Sequence, residues 1–165
     1  MVVDVQVHDS AELARTGESM AITGKIVISS HDWPESHWDM YVDFDALSEK
    51  LATWAIDAPP GMLESSGHAA KLADHRRVYL TFEGEVSDGR GTVAVVFEGE
   101  FTTENTAADK ELTLQLKLKA RSGETLEGDM TLYPKKIPVD PKTKKPVSAT
   151  RNNWSWIWQP KRNKK

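Results

Sequence analysis

The 165-residue chain predicts an all-β fold: a compact, mostly antiparallel β-barrel with short peripheral helices. Three observations carry this expectation. Eight segments read as short strands, turn chemistry separates them, and helical stretches are few and brief. The clearest strand is Leu112–Lys119, where four leucines fall on one face and polar residues on the other.

Taken in chain order, Ser10 can cap a brief helix through Arg15. Strands follow at Lys25–Ser29, His37–Phe44 and Leu51–Ile56, with a helical turn over Asp45–Leu51. Residues 37–43 alternate strictly, so His37, Asp39, Tyr41 and Asp43 share one face while Trp38, Met40 and Val42 share the other. Gly61–Ala70 reads as a flexible surface loop, which leaves His68 exposed and without a role. Strands at Arg77–Phe82 and Thr92–Phe97 flank Ser87-Asp88-Gly89-Arg90-Gly91, a hairpin connection. Arg121-Ser122-Gly123-Glu124 is a second connection, joining Leu112–Lys119 to Thr125–Tyr133. Residues 134–150 hold four prolines and five lysines and read as an extended loop, because a strand follows at Trp154–Trp158. Trp154, Trp156 and Trp158 share a face there. They are either core residues that close the barrel or a stacking platform for unpaired bases.

The length suits one sizeable core rather than two ordinary domains. We therefore read 1–165 as a single domain, with the Pro/Lys-rich loop at 134–150 and a basic C-terminal tail at 159–165. The chain has no cysteine, which excludes disulfides, thiolate zinc sites and cysteine nucleophiles and suits a reducing cytoplasm. Met1–His8 carries one acid, Asp4, and no long apolar run, and nothing approaches the roughly 20 apolar residues of a membrane span. The net charge of −4 hides an asymmetry. Residues 134–165 carry ten Lys or Arg against one acid, Asp140, whereas 1–133 carries 11 basic and 24 acidic residues. The basic segment either contacts phosphate backbones by releasing counterions or is a solvated tail that aids solubility.

His31-Asp32-Trp33-Pro34-Glu35-Ser36-His37-Trp38-Asp39 concentrates chemistry in a chain with only five histidines. His37 and Asp39 lie two apart on a strand, and His31 lies just upstream across a Pro-containing turn. Two imidazoles and one carboxylate suit a divalent Mn, Fe, Co or Zn ion and leave positions open for water and substrate. Local hydrogen bonding is the plainer account of the same three residues. Downstream, Asp74-His75-Arg76-Arg77-Val78-Tyr79 ends a loop and enters a strand, a place where function often lies. A histidine there can protonate a leaving oxygen or hydrogen-bond a phosphate. His8, near the terminus, has no companions.

The ordered set of segments can be read as a whole. It comprises His31-x5-His37-x-Asp39, Leu51-Ala52-Thr53-Trp54-Ala55-Ile56, Asp74-His75 with Tyr79, Phe82-Glu83-Gly84, Gly89-Arg90-Gly91-Thr92-Val93 and Asn152-Asn153-Trp154. Together these resemble the 3′-phosphoesterase module of bacterial ATP-dependent DNA ligase D and its small stand-alone relatives. In that family the second segment reads Leu-Lys-Ser-Trp-Ala-Val and the fifth Gly-Ala-Gly-Thr-Val.

The resemblance implies a β-barrel and a metal-dependent phosphoesterase of DNA repair. Such an enzyme removes a 3′-terminal ribonucleoside and then its phosphate to leave a 3′ hydroxyl. His31, His37 and Asp39 would hold the metal, expected to be manganese with zinc or cobalt as alternatives. His75 and Tyr79 would engage the scissile phosphate. The implied partners are nucleic-acid 3′ ends, in a primer-template or nicked duplex, together with a repair ligase or polymerase. Neither a membrane nor any other cofactor is implied.

The chain departs from the family pattern at three positions. Tyr41 stands where the family strand has arginine, Asp43 where it has glutamate and Ala52 where it has lysine. A tyrosine hydroxyl does not replace a bidentate guanidinium, and Arg76 or Arg90 is the candidate substitute. Two other functions fit the same residues. One is a catalytically weakened module that binds nucleic acid or a partner. The other is a non-haem iron oxygenase, in which His37, Asp39 and His75 meet on one metal with His31 apart.

Overall fold

The computed structural model describes residues 21–61, 65–104, 111–135, 141–144 and 154–161. Among these residues it forms strands β1 (Ile22–His31), β2 (His37–Val42), β3 (Lys50–Ile56), β4 (Ser66–Arg76), β5 (Gly84–Glu85), β6 (Thr92–Thr103), β7 (Leu112–Ala120), β8 (Thr125–Pro134) and β9 (Trp154–Pro160). Neighbours run antiparallel in the order β1-β2-β3-β4-β9-β8-β7-β6, and pairing of β1 with β6 closes an eight-stranded barrel. The two-residue β5 adds to β6 beyond the end of β7. The expected antiparallel barrel is therefore the observed fold.

Alternation fills the barrel. Leu112, Leu114, Leu116 and Leu118 of β7 point inward, with Ile26 and Ile28 of β1, Met40 and Val42 of β2, and Met130 and Leu132 of β8. Trp154, Trp156 and Trp158 are buried in the same core, which decides between the two readings of that strand. β9 lies between β4 and β8, so these indoles close the barrel. A second, smaller cluster of Val27, Tyr41, Leu51 and Val95 occupies the opposite face of β1, β2, β3 and β6, and Tyr79 and Leu80 pack on it.

Local expectations differ from the structure in four places. Gly61–Ala70 is not a loop from Ser66 onward. Ala69 and Ala70 are buried in β4, and a Cβ at Gly67 would lie 2.7 Å from the Trp156 indole nitrogen, so small residues make room for large ones. Arg77–Phe82 is not a strand. Arg77–Leu80 forms a 3-10 helix, and the Val78 carbonyl accepts the N–H groups of Thr81 and Phe82. Asp45–Leu51 is a turn running into β3. The Asp45 carboxylate accepts the Leu47 N–H and Ser48 bonds both backbone groups of Lys50, and such local bonds compete with a helix. β5 is additional. The Ser10–Arg15 helix and most of the 134–150 loop lie outside the described residues. So does most of the basic tail, of which Lys161 is described and pairs with Glu127. No helix among the described residues is long and apolar enough to cross a membrane.

Candidate metal centre

The outer face of β1 and β2 carries the site. Register pairs His31 with His37, Ser29 with Asp39 and Val27 with Tyr41, so all six side chains share one face. The His31 Nδ1 lies 3.0 Å from Asp39 Oδ2, and the His37 Nε2 lies 2.9 Å from Asp39 Oδ1. One ligand atom from each of the three residues lies within 4.8 Å of the others, close enough to hold a single ion.

Hydrogen bonds at the far side of each ring decide what faces Asp39. His31 Nε2–H donates to the Arg90 carbonyl at 2.8 Å, and His37 Nδ1–H donates to the Glu35 carbonyl at 2.8 Å. A carbonyl can only accept, so those nitrogens carry the protons. In the neutral rings, His31 Nδ1 and His37 Nε2 then present lone pairs to a carboxylate. Three acceptors converging on one point are relieved by a cation, either a proton on each ring or one metal ion held by all three. An imidazole held by a backbone carbonyl on its far side is also the usual way a metal-binding histidine is oriented. The donor set therefore fits a divalent ion.

Asp39 is 2% exposed. Burial pushes its carboxyl up, but the hydrogen bond and charge of His37, together with those of His31, outweigh burial and hold it below the ordinary range. Tyr41, with its hydroxyl 3.5 Å from Asp39, is pushed far upward by burial first and then by the charges of Asp39 and Tyr79. It stays a neutral phenol.

A cleft of about 190 Å³ opens beside the triad, lined by His31, His37 and Asp39 together with His75, Tyr79 and Arg90. His75 reaches it through an irregularity. Leu51 pairs with His75 but Thr53 pairs with Leu72, so β4 carries one extra residue there. An unbroken strand would send Leu72 and His75 to opposite faces, whereas both line the cleft. The rings of Tyr41, His75 and Tyr79 sit 5.5–5.7 Å apart, centroid to centroid. Tyr79 rides on the 3-10 helix, anchored by Arg77, whose guanidinium grips the buried Asp43 carboxylate at 2.6 and 2.8 Å. The chain thus brings together all five residues singled out from sequence. His31 joins His37 and Asp39, and His75 is outside that ligand group, which removes the geometry the oxygenase alternative needs.

Of the two arginines considered as substitutes, Arg90 lines the cleft, while Arg76 is exposed and does not. His68 is exposed on β4, within 2.6 Å of the Lys135 Nζ and away from the triad. Sequence reasoning passed over Asp32 and Trp33. Asp32 accepts the Thr92 N–H at 2.6 Å, and Trp33 forms part of the cleft wall. An aromatic residue two positions after a candidate ligand histidine was the available signal.

Comparison with protein-family models adds one finding: the model of the DNA ligase D 3′-phosphoesterase domain matches residues 29–134. The chain belongs to this family. The matched span starts within β1 and ends with β8, so it covers the triad, the His75 bulge and the 83–92 segment. A search of curated proteins finds no match.

Proposed function

We propose that the chain is a metal-dependent phosphoesterase that removes 3′-ribonucleosides or 3′-phosphates from nucleic-acid ends during cytoplasmic DNA repair. The observation that carries this reading is the convergence of His31, His37 and Asp39 at the edge of a cleft that also holds His75 and Tyr79. Membership of a 3′-phosphoesterase family supports it. Held by the three residues, a divalent ion supplies Lewis-acid polarisation of a phosphate oxygen and a nucleophilic water near neutral pH. Manganese is our first choice, with zinc and cobalt compatible with the same ligands.

The chain's own residues do the rest. The His75 Nδ1–H is committed to the Ala73 carbonyl at 2.9 Å, so a proton on Nε2 is the one that can pass to the leaving oxygen. The Tyr79 hydroxyl would donate to a non-bridging phosphate oxygen. Arg90 would contribute charge, because Ser87 engages only two of its five N–H groups. A repair ligase or polymerase would take over the cleaned end.

The decisive experiment incubates the protein and manganese with a duplex primer ending in one 3′ ribonucleotide or a 3′ phosphate. We expect a shortened or dephosphorylated primer, lost in His37→Ala and His75→Ala. An intact primer across manganese, zinc and cobalt would refute the enzymatic reading. Tyr41, 1% exposed where the family has arginine, favours a second reading, a module that binds such ends without turning them over. Retained primer binding without cleavage would identify it.

A further inference from the structure

One large aromatic side chain is exposed at the cleft and has no part in the chemistry above. Trp33 is 43% exposed and lines the cleft beside His31 and His37. Exposed apolar residues are common, so exposure alone decides nothing. The seating of Trp33 is what sets it apart. Three consecutive residues of the 83–92 segment hold three consecutive residues at the end of β1. The Arg90 carbonyl accepts from His31, the Thr92 N–H donates to Asp32, and Gly91 packs so closely that a Cβ there would lie 2.5 Å from the Trp33 Cβ. The base of the Trp33 side chain is thus seated against the same segment that holds a candidate metal ligand, and Arg90 of that segment lines the same cleft.

Charge argues for a stacking contribution. Binding by counterion release needs several cations on phosphates. Among the described residues, Arg90 is the sole lysine or arginine lining this cleft, and residues 1–133 are strongly acidic. Within the cleft itself, little of the affinity for a nucleic-acid end can then come from cations. An aromatic plane supplies it, because every base has a face to stack.

We propose that Trp33 stacks on the nucleobase next to the scissile phosphate while Arg90 engages that phosphate, so the cleft takes a single unstacked terminal nucleotide. The proposal rests on the phosphoesterase reading and adds a substrate preference to it. It makes Trp33 a specificity-determining residue and assigns it no bond-breaking role.

Two single-stranded oligonucleotides test it, both ending in a 3′ phosphate, one with a base on the last sugar and one with an abasic tetrahydrofuran there. Wild-type protein should prefer the base-bearing end, and Trp33→Ala should shrink that preference in kcat/KM by roughly 10- to 100-fold. Trp33→Phe should keep most of the preference, and Trp33→Leu, with apolar bulk but no π face, should lose it. Equal losses on both substrates in Trp33→Ala would show that Trp33 merely shapes the cleft and would overturn the proposal. Should wild type cleave neither oligonucleotide nor the duplex primer, the phosphoesterase reading falls alone. Calorimetric titration with a nucleoside 3′-monophosphate against tetrahydrofuran 3′-phosphate then decides the stacking question. Equal affinities sink it, and a Trp33-dependent preference for the nucleotide upholds it.

Discussion

Two glycines in one turn isolate the contact that seats the site. Gly91 has φ +84° and Gly89 φ +67°, both in the left-handed region that penalises a side chain. Alanine at either position therefore meets a similar backbone strain, on the order of 1–2 kcal/mol. Their surroundings differ. A Cβ at Gly89 meets nothing within 4 Å, whereas at Gly91 it would lie 2.3 Å from Asp32 Oδ1 and 2.5 Å from the Trp33 Cβ. The Asp32 oxygen cannot swing away without giving up the Thr92 N–H at 2.6 Å. Overpacking of about 1–3 kcal/mol plus the loss of one hydrogen bond, about 1 kcal/mol, puts Gly91→Ala roughly 2–4 kcal/mol below Gly89→Ala. For a chain of this size that difference is about 4–16 °C in Tm. Thermal and urea denaturation of both variants reads it directly. The Arg90 carbonyl that orients His31 directly precedes Gly91, so Gly91→Ala should also weaken manganese binding by roughly tenfold while Gly89→Ala leaves it alone. Equal destabilisation of the two variants would refute the idea that the 83–92 segment braces the site.

Two further outcomes follow from buried polar groups. The Ser29 hydroxyl, on a residue paired with Asp39 of β2 and Val95 of β6, is fully buried and finds no hydrogen-bond partner among the described residues. Removing it in Ser29→Ala should raise the stability of the metal-free protein by about 1 kcal/mol, and a lower Tm in the variant would show that the hydroxyl is satisfied. The Asp39 carboxyl is held below its ordinary range, so its contribution to stability is present above the unfolded-state pKa of about 3.9 and is lost as pH falls through the folded value. Urea titrations of the metal-free protein between pH 5 and pH 2 should therefore show a shallower acid limb in Asp39→Asn than in wild type, and coincident limbs would contradict the hydrogen-bonded triad.

Tyr41 changes what the neighbouring residues must do. An arginine in its place would set a fixed positive charge on the outer face of β2, next to Asp39. The phenol is neutral, buried and packed with Val27, Leu51 and Val95, so it extends the apolar floor of the cleft rather than binding an anion. Positive charge at the cleft comes from Arg90, tied to Ser87 beside a turn. Under the proposed function, a phosphate would therefore be met from a loop rather than from this strand, and Tyr41 instead packs against the rings of His75 and Tyr79.

What was legible from sequence was whatever obeys period two. The alternation of residues 37–43 places His37, Asp39 and Tyr41 on one face and Trp38, Met40 and Val42 on the other, and the pairing of β1 with β2 brings His31 opposite His37. The leucines of β7 and the indoles of β9 followed the same rule into the core. What was not legible is where the period breaks. Val96 is an extra residue on β6, because Ile28 pairs with Phe97 while Ser29 pairs with Val95. That slip sends Phe97 into the core with Ile28 and turns Val95 and Val93 outward beside Ser29 and His31. The bulge in β4 does the same for Leu72 and His75. Neither bulge carries a glycine or a proline to announce it, and both depend on partners far away in the chain. A residue-by-residue alternation would have put His75 and Leu72 on opposite faces, yet the cleft requires both. The geometry of the candidate site on this barrel thus rests on two departures from the very pattern that builds it, and the regular strands serve to hold those departures in register.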